Sequence, residues 1–133
     1  MKEVVNVSDV CLKYQSKNGE IEALSHVSFS INSGEYVSIV GPSGCGKSTL
    51  LSIIAGLLKP TSGQVFVENQ IVEKPNRALG YMFQKDQLFS WRTVYQNVLL
   101  GLEIQHQKTP DNIAYVDKLL KEYGLYEFKD KFP

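Results

Sequence analysis

This chain has few cysteines, no formal net charge and no long apolar run. Its two cysteines, Cys11 and Cys45, are too few for a disulfide framework or a zinc site, and they favour a reducing compartment. The 14 basic and 14 acidic residues cancel, so the charge gives no reason to expect capture of DNA or RNA. The apolar runs fall far short of the roughly 20 residues that span a bilayer. We therefore expect a neutral domain with no nucleic-acid partner and no direct membrane insertion.

The hydrophobic content is sufficient for one domain or part of one, since 43% of the 133 residues are hydrophobic. Alternation and turn signals predict strands over 4–14 and 21–31, and a strand pair over 64–72. Two short apolar runs, 36–40 and 79–84, predict buried strands, the first of them in a parallel sheet. The first part of the chain is therefore expected to be rich in strands.

Other segments of the chain have the apolar spacing of helices. Apolar spacing predicts helices over 48–58, 93–102 and 112–123. The last has an N-cap at Thr109, a proline in its first turn at Pro110 and a C-cap at Gly124. Its expected apolar face consists of Ile113, Val116, Leu119, Leu120 and Tyr123. A helical part thus follows the strand-rich part, with the border near Gln84.

The strongest chemical signal lies between a predicted strand and a predicted helix. Residues 41–49 match G-x-x-x-x-G-K-[ST], the phosphate-binding loop of P-loop NTPases. Glycines allow amide N–H groups to surround an anion, and the helix that follows offers free N–H groups. Lys47 adds a charge for the β- and γ-phosphates, and Ser48 adds a hydroxyl ligand for Mg²⁺. The candidate cofactor-binding residues are Gly41, Pro42, Ser43, Gly44, Cys45, Gly46, Lys47, Ser48 and Thr49.

Cys45 has two interpretations. Its thiol lies at the start of a predicted helix and beside Lys47, which is a setting that lowers a thiol pKa and raises reactivity. The simpler interpretation is a small side chain that fills space in the loop. A glycine-rich turn that contains a lysine by chance is the corresponding simple interpretation of the whole motif.

The surroundings of the loop resemble a known family. The stretches 23–31, 34–41 and 50–63 closely resemble the flanks of the phosphate-binding loop in ATP-binding-cassette (ABC) ATPases. In that family an upstream aromatic residue stacks on adenine, and Tyr14 matches its position. Gln84 matches the glutamine that contacts the metal and the attacking water. A strand-end core aromatic and an ordinary strand-terminal glutamine are the competing interpretations of Tyr14 and Gln84.

The resemblance implies an α/β fold of the ABC ATPase type. It predicts an antiparallel β region, a strand–loop–helix unit around the phosphate loop and the start of a helical subdomain. Residues 1–84 would form the nucleotide-binding core, and residues 85–133 would form the glutamine loop and the start of the helical subdomain. ATP and Mg²⁺ are the implied cofactors, with Ser48 and Gln84 as metal contacts and Gln84 as the candidate catalytic residue.

The segment that follows Gln84 resembles the nitrate, sulfonate and taurine branch of the ABC importers. The residues that carry this likeness are 88–94, Asn97, Val98, Gly101 and Leu102. The resemblance implies that the Gln84–Trp91 region contacts a transmembrane permease, with the chain peripheral on the cytoplasmic face of the membrane. Exposed Phe89 and Trp91 would suit such a contact, because aromatic residues are enriched at interface cores. Simple core packing of these two rings is the alternative.

Three catalytic motifs of the family are not found in these residues. They are the Leu-Ser-Gly-Gly signature, the second acidic motif and the switch histidine. The run at 65–68 precedes Gln84 and lies too early for the acidic motif. His26 and His106 lie too early for the switch histidine. We expect the chain to bind ATP without hydrolysing it alone, and to self-associate, to pair with a second ATPase subunit or to be cut short. A non-catalytic binding module and another P-loop enzyme are the alternatives, and the second has no guanine-binding motif in its favour.

Overall fold

The computed structural model describes residues 2–77 and 79–133. The chain falls into two compact units, one that ends at Tyr81 and one that runs from Met82 to Pro133. Each unit has its own hydrophobic cluster and is described by itself. No helix in the described residues combines the length and apolar character needed to cross a membrane.

The first unit is built on a four-stranded antiparallel sheet. Its strands are β1 (Glu3–Ser16), β2 (Gly19–Asn32), β3 (Ser62–Val67) and β4 (Gln70–Ile71), in the order β2-β1-β3-β4. The strands predicted over 4–14 and 21–31 and the pair over 64–72 are confirmed. Glu68 and Asn69 join β3 to β4 with positive φ angles of 49° and 62°, the conformation of the tight turns that match strand twist.

One helix covers this sheet. α1 (Lys47–Ile54) buries Leu50, Ile53 and Ile54, and burial of each such side chain contributes about 1.5–3 kcal/mol. The cluster that joins the helix to the strands consists of Val7, Val10, Leu12, Leu24, Leu50, Ile53, Ile54 and Val65. The start of α1 is thereby fixed relative to β1 and β2.

α1 ends earlier than the predicted 48–58. Gly56 has φ 73°, its N–H donates to the Ile53 carbonyl at 3.0 Å, and the Leu57 N–H donates to the Ser52 carbonyl at 2.9 Å. This pair of bonds is a Schellman motif, which closes a helix with a left-handed residue. A Cβ on Gly56 would lie 2.4 Å from the Lys74 carbonyl oxygen, so a close chain approach also requires glycine here.

Two strand predictions are wrong. Residues 36–40 form no strand, and Tyr36 and Val40 are 97% and 88% exposed. The run 79–84 forms no strand either, and Met82 is 92% exposed. A short apolar run becomes a buried strand only when neighbouring strands pair with it. Within residues 2–77 and 79–133 the sheet is wholly antiparallel, and it offers neither run a partner.

The second unit contains α2 (Val94–Ile104), α3 (Pro110–Glu122) and a 3₁₀ turn at Tyr126–Phe128. The two predicted helices are confirmed. So are the caps of α3, because the Thr109 hydroxyl accepts from the Asn112 N–H and Gly124 follows the helix with φ 70°. Leu99, Val116 and Leu120 form the buried cluster. Tyr123 was expected on the apolar face but is 73% exposed, since it lies at the helix end beyond the last buried turn.

Candidate functional site

The loop at 41–49 curls around its own lysine. The Lys47 Nζ donates to the carbonyl oxygens of Gly41 at 2.6 Å and Pro42 at 2.7 Å, and lies 3.5 Å from the Cys45 Sγ. No carboxylate of the described residues lies within ion-pair distance of this amine. Among the described residues, the hydrogen-bond partners of this amine are two neutral carbonyl oxygens and the Cys45 sulfur, with no carboxylate.

Two glycines of the loop pack closely against neighbouring groups. Gly46 has φ 97°, and a Cβ there would lie 2.7 Å from the Ala23 carbonyl oxygen and 2.8 Å from the Leu24 Cδ2. Gly41 has no positive φ, but a Cβ there would lie 2.7 Å from the Cys45 Sγ. The sequence explained these glycines by the backbone conformations that glycine allows. The structure adds a second explanation, which is that Gly46 packs closely against β2 and Gly41 packs closely against Cys45.

The N-terminus of α1 is left open. Its N-cap, Gly46, offers no side-chain hydrogen bond, whereas the threonines before α2 and α3 cap those helices. First-turn N–H groups have no acceptor within their own helix, so here they are available to an anion. Ser48 lies exposed in this turn, and its hydroxyl oxygen is a ligand type that Mg²⁺ accepts. The residues present therefore fit a phosphate group and its magnesium ion.

Hydroxyl and phosphate oxygens would have to supply much of the coordination of any such ion. The described residues contain no group of three or more His, Cys, Asp and Glu side chains that could hold a metal. Mg²⁺ commonly binds through one or two protein ligands, substrate phosphates and water, so this observation does not conflict with the fit at Ser48.

Tyr14 lies on the sheet that supports the loop. It faces Ile21 across β1 and β2, and its side chain is 43% exposed. Two residues earlier, Leu12 pairs with Leu24, the residue against which Gly46 packs. The ring is thus open to a ligand, and it lies on the strand pair against which Gly46, at the start of α1, packs. Its adenine-stacking role stays a prediction.

Gln84 belongs to the second unit. It lies in an irregular, exposed segment of residues 82–88. Its predicted contacts with a metal ion and a water molecule stay predictions, as does the division of the chain at residue 84.

An aromatic turn, residues 88–93, precedes α2. The rings of Phe89 and Trp91 stack with centroids 4.7 Å apart and planes 24° apart, and the Arg92 guanidinium lies 6.0 Å from the Phe89 ring centre. Trp91 is 72% exposed, so core packing is the wrong interpretation for this ring. The turn presents an aromatic surface to solvent.

Sequence reasoning missed the residue that organises this turn. The Asn97 side chain accepts from the Phe89 N–H at 2.8 Å and donates to the carbonyl oxygens of Phe89, Arg92 and Thr93 at 3.1, 3.2 and 3.0 Å. Asparagine is a poor helix former because its side chain competes for backbone groups. Its position inside a predicted helix was the signal that could have indicated a local structural role.

Arg92 also ties the aromatic turn to the far end of α2. Its Nη1 donates to the Glu103 Oε2 at 2.7 Å, and the Lys108 Nζ donates to the Glu103 Oε1 at 3.3 Å. These bonds, the Arg92 bond above all, hold the pKa of the Glu103 carboxyl below its usual value. Glu103 therefore carries its charge throughout the neutral range.

Comparison with known proteins gives a consistent result. The family model described as ABC transporter matches residues 24–133. The ABC transporter ATP-binding protein YtlC of Bacillus subtilis is 40% identical over 129 residues, which is 97% of this chain and 50% of that protein. The taurine import ATP-binding protein TauB of Jannaschia sp. is 41% identical over 126 residues, 94% of this chain and 47% of that protein. The aliphatic sulfonates import ATP-binding protein SsuB of Bacillus cereus is 34% identical over 129 residues, 97% of this chain and 50% of that protein.

Solved structures agree with this result. The ATP-binding cassette MJ0796, in a dimeric post-hydrolysis state bound to ADP and Pi, matches with a TM-score of 0.83 and 32% identity. That match covers 97% of this chain and 61% of MJ0796. The chain spans about half the length of the curated relatives it matches.

Proposed function

Because this chain belongs to the ABC transporter family, we propose that it is an ATP-binding component of an importer for small solutes of the taurine, sulfonate or nitrate type. The observation that carries the proposal is the loop around Lys47, whose amine has no carboxylate within ion-pair distance in the part of the chain that the structure describes. The open N-terminus of α1 supports the same conclusion, since both features favour a polyphosphate.

In this proposal each part of the site has one task. The Lys47 amine and the first N–H groups of α1 bind the phosphates and hold them in place. The Ser48 hydroxyl would hold Mg²⁺, which neutralises phosphate charge when bound. Tyr14 offers its exposed ring to the adenine, and such base–aromatic stacking is worth about 1–3 kcal/mol in nucleic-acid complexes. Gln84 would contact the metal ion and the attacking water.

The solute class and the partner are inferred from the named relatives. Taurine and aliphatic sulfonate import ATP-binding proteins match nearly the whole of this chain. We therefore propose that the chain works beside a membrane permease, on the cytoplasmic face, and that the aromatic turn is part of the contact. The exposed Trp91 ring supports this, since aromatic anchors carry much of the energy of protein interfaces.

We further propose that these 133 residues bind ATP without turning it over by themselves. Phosphoryl transfer needs phosphate positioning, charge neutralisation and a positioned nucleophile. Lys47, Ser48 and the loop would position the phosphates and neutralise their charge. No segment of the 133 residues matches the family's signature motif, its second acidic motif or its switch histidine.

Thermal shift with Mg-ATP tests nucleotide binding. Ligand at about 100 times its Kd stabilises a folded protein by about 2.7 kcal/mol. We expect a clear shift for the wild-type chain and for Lys59→Ala, a matched lysine variant beyond the other end of α1. Lys47→Ala should lose the shift. An equal shift for Lys47→Ala would contradict the proposed phosphate site.

Turnover is tested separately by phosphate release. We expect no release from the 133-residue chain, and release from a chain extended through the three missing motifs. If the 133-residue chain releases phosphate, and if Lys47→Ala abolishes this release, the 133 residues suffice for catalysis and the proposal is wrong.

A further inference from the structure

The amide orientation of Asn97 follows from its partners. A backbone N–H can only donate, so the Phe89 N–H at 2.8 Å requires the Asn97 side-chain oxygen to face it. The side-chain nitrogen then faces the carbonyl oxygens of Phe89, Arg92 and Thr93. One side chain thus bonds both backbone groups of Phe89 and shares its two hydrogens among three carbonyls.

These bonds fix the backbone of the aromatic turn at both of its ends. The Arg92 N–H donates to the Phe89 carbonyl at 3.0 Å, and this is the carbonyl that the Asn97 side chain also holds. Residues 89 to 92 are therefore closed into a tight turn, which brings the Phe89 and Trp91 rings to their 4.7 Å stack. An exposed ring that is held in one orientation loses less conformational entropy when it binds a partner.

Two further bonds tie the start of α2 to the segment after α3. The Val94 N–H donates to the Lys131 carbonyl at 2.8 Å, and the Tyr95 N–H donates to the Lys129 carbonyl at 2.9 Å. Thr93 and Gln96 complete a capping box at the same helix end. The helix from which Asn97 acts is thus itself held at its first turn, so it is a rigid base for the aromatic turn.

We propose that Asn97 is the positioning residue that preorganises the Phe89–Trp91 stack for contact with the membrane permease. The inference rests on the proposed function for the identity of the partner, but the positioning itself does not. In this inference Asn97 acts through its bonds to the backbone of the aromatic turn.

The matched substitutions Asn97→Asp and Asn112→Asp test the positioning. Each substitution adds one negative charge and removes a side-chain amide that donates to the backbone. In the control, the Asn112 Nδ2 donates to the Gln107 carbonyl at 2.8 Å. Trp91 is the only tryptophan, beside seven tyrosines and six phenylalanines. Fluorescence anisotropy excited at the long-wavelength edge of tryptophan absorption, and the near-UV circular dichroism band at the same edge, therefore report on this turn. We expect Asn97→Asp to lower the Trp91 anisotropy and weaken its near-UV band while far-UV helicity is kept. Asn112→Asp should change neither signal.

Binding to a detergent-solubilised permease of a taurine-type importer tests the consequence. We expect Asn97→Asp to weaken this binding by about tenfold, as loss of a preorganised interface anchor does. Trp91→Ala serves as the reference for the contact itself. If Trp91→Ala binds normally, the proposed docking surface is wrong, whatever Asn97 does.

Three outcomes overturn the positioning role. The first is an unchanged Trp91 signal in Asn97→Asp, and the second is a changed signal that appears only together with loss of far-UV helicity. The third is a changed signal in Asn97→Asp while its permease binding is unchanged, in an assay where Trp91→Ala binds more weakly. The wild-type chain gives an independent measurement that needs no variant. Hydrogen exchange at the Phe89 amide should be slower than at Ser90, and equal exchange also contradicts the inference.

Discussion

Single residues of the phosphate loop are constrained by their immediate neighbours. Gly46 combines a left-handed backbone with close approach to the backbone of β2, and Cys45 lies between the Gly41 backbone and the Lys47 amine. A side chain added at either glycine would have to displace something. Two predictions follow directly from these contacts.

The first prediction concerns Gly46→Ala, which we compare with Gly101→Ala inside α2. The Gly46 variant should lose about 1–2 kcal/mol from the left-handed conformation alone, and more from the contact with the Ala23 carbonyl. Gly101 has open space around it, so alanine there should gain about 0.5–1 kcal/mol. Denaturant unfolding measures both, and equal stabilities would contradict the constraint at Gly46.

The second prediction uses the two thiols as a matched pair. Cys45 is exposed and Cys11 is buried, and both are free. A bulky maleimide should therefore modify Cys45 first and abolish the Mg-ATP thermal shift, because the reagent fills the loop. Bound Mg-ATP should slow the modification. A labelled Cys45 with an unchanged thermal shift would count against the proposed site.

At the scale of elements, α2 is held by its ends. Thr93 and Gln96 form the capping box at its start, and Glu103 at its other end receives Arg92 and Lys108. The Glu103 carboxyl has a pKa below its usual value in the folded chain. Its contribution to stability is therefore present above the unfolded-state pKa and is lost as pH falls through the lower folded-state pKa.

The third prediction follows from that sign. Wild-type protein should lose more stability than Glu103→Gln as pH falls from about 7 to about 3, since the unfolded carboxyl titrates near 4.3. Thermal unfolding across this range measures the difference. Glu127→Gln, in the 3₁₀ turn, provides a control with no ion pair among the described residues. Parallel pH profiles for wild type and Glu103→Gln would exclude the ion pairs as a source of stability.

The whole molecule exposes apolar segments that a folded protein normally covers. Tyr36, Val40 and Met82 are all nearly fully exposed. Large apolar side chains that are exposed to water favour association. This is the structural basis for expecting the chain to pair with a second subunit or with itself.

The fourth prediction is that the isolated chain associates through residues 36–40. The double variant Tyr36→Ser, Val40→Ser should sediment as a smaller species than wild type at the same concentration. Tyr115→Ser, at another exposed aromatic position, should leave the sedimentation unchanged. A wild-type chain that sediments as a monomer throughout would refute this expectation.

The sequence by itself determined the local features. The antiparallel strands, the helix caps at Thr109 and Gly124, and the phosphate-binding motif at 41–49 could all be predicted, because each depends on residues close together in the chain. The exposure of Trp91 was not among them, because the sequence left a docking role and core packing both open, and the structure decided between them. Alternation, capping chemistry and glycine spacing act over short distances, and a sequence shows them directly.

Only the tertiary structure decided the features that depend on distant partners. The runs at 36–40 and 79–84 have the composition of buried strands, yet no neighbouring strand pairs with them. The close approach of the chain near Lys74 to Gly56, where α1 has ended, leaves no room for a side chain there, and the aromatic turn is organised by the side chain of Asn97. Strand pairing and side-chain-to-backbone bonds of this kind require groups to meet in space, and local pattern does not specify which groups will meet.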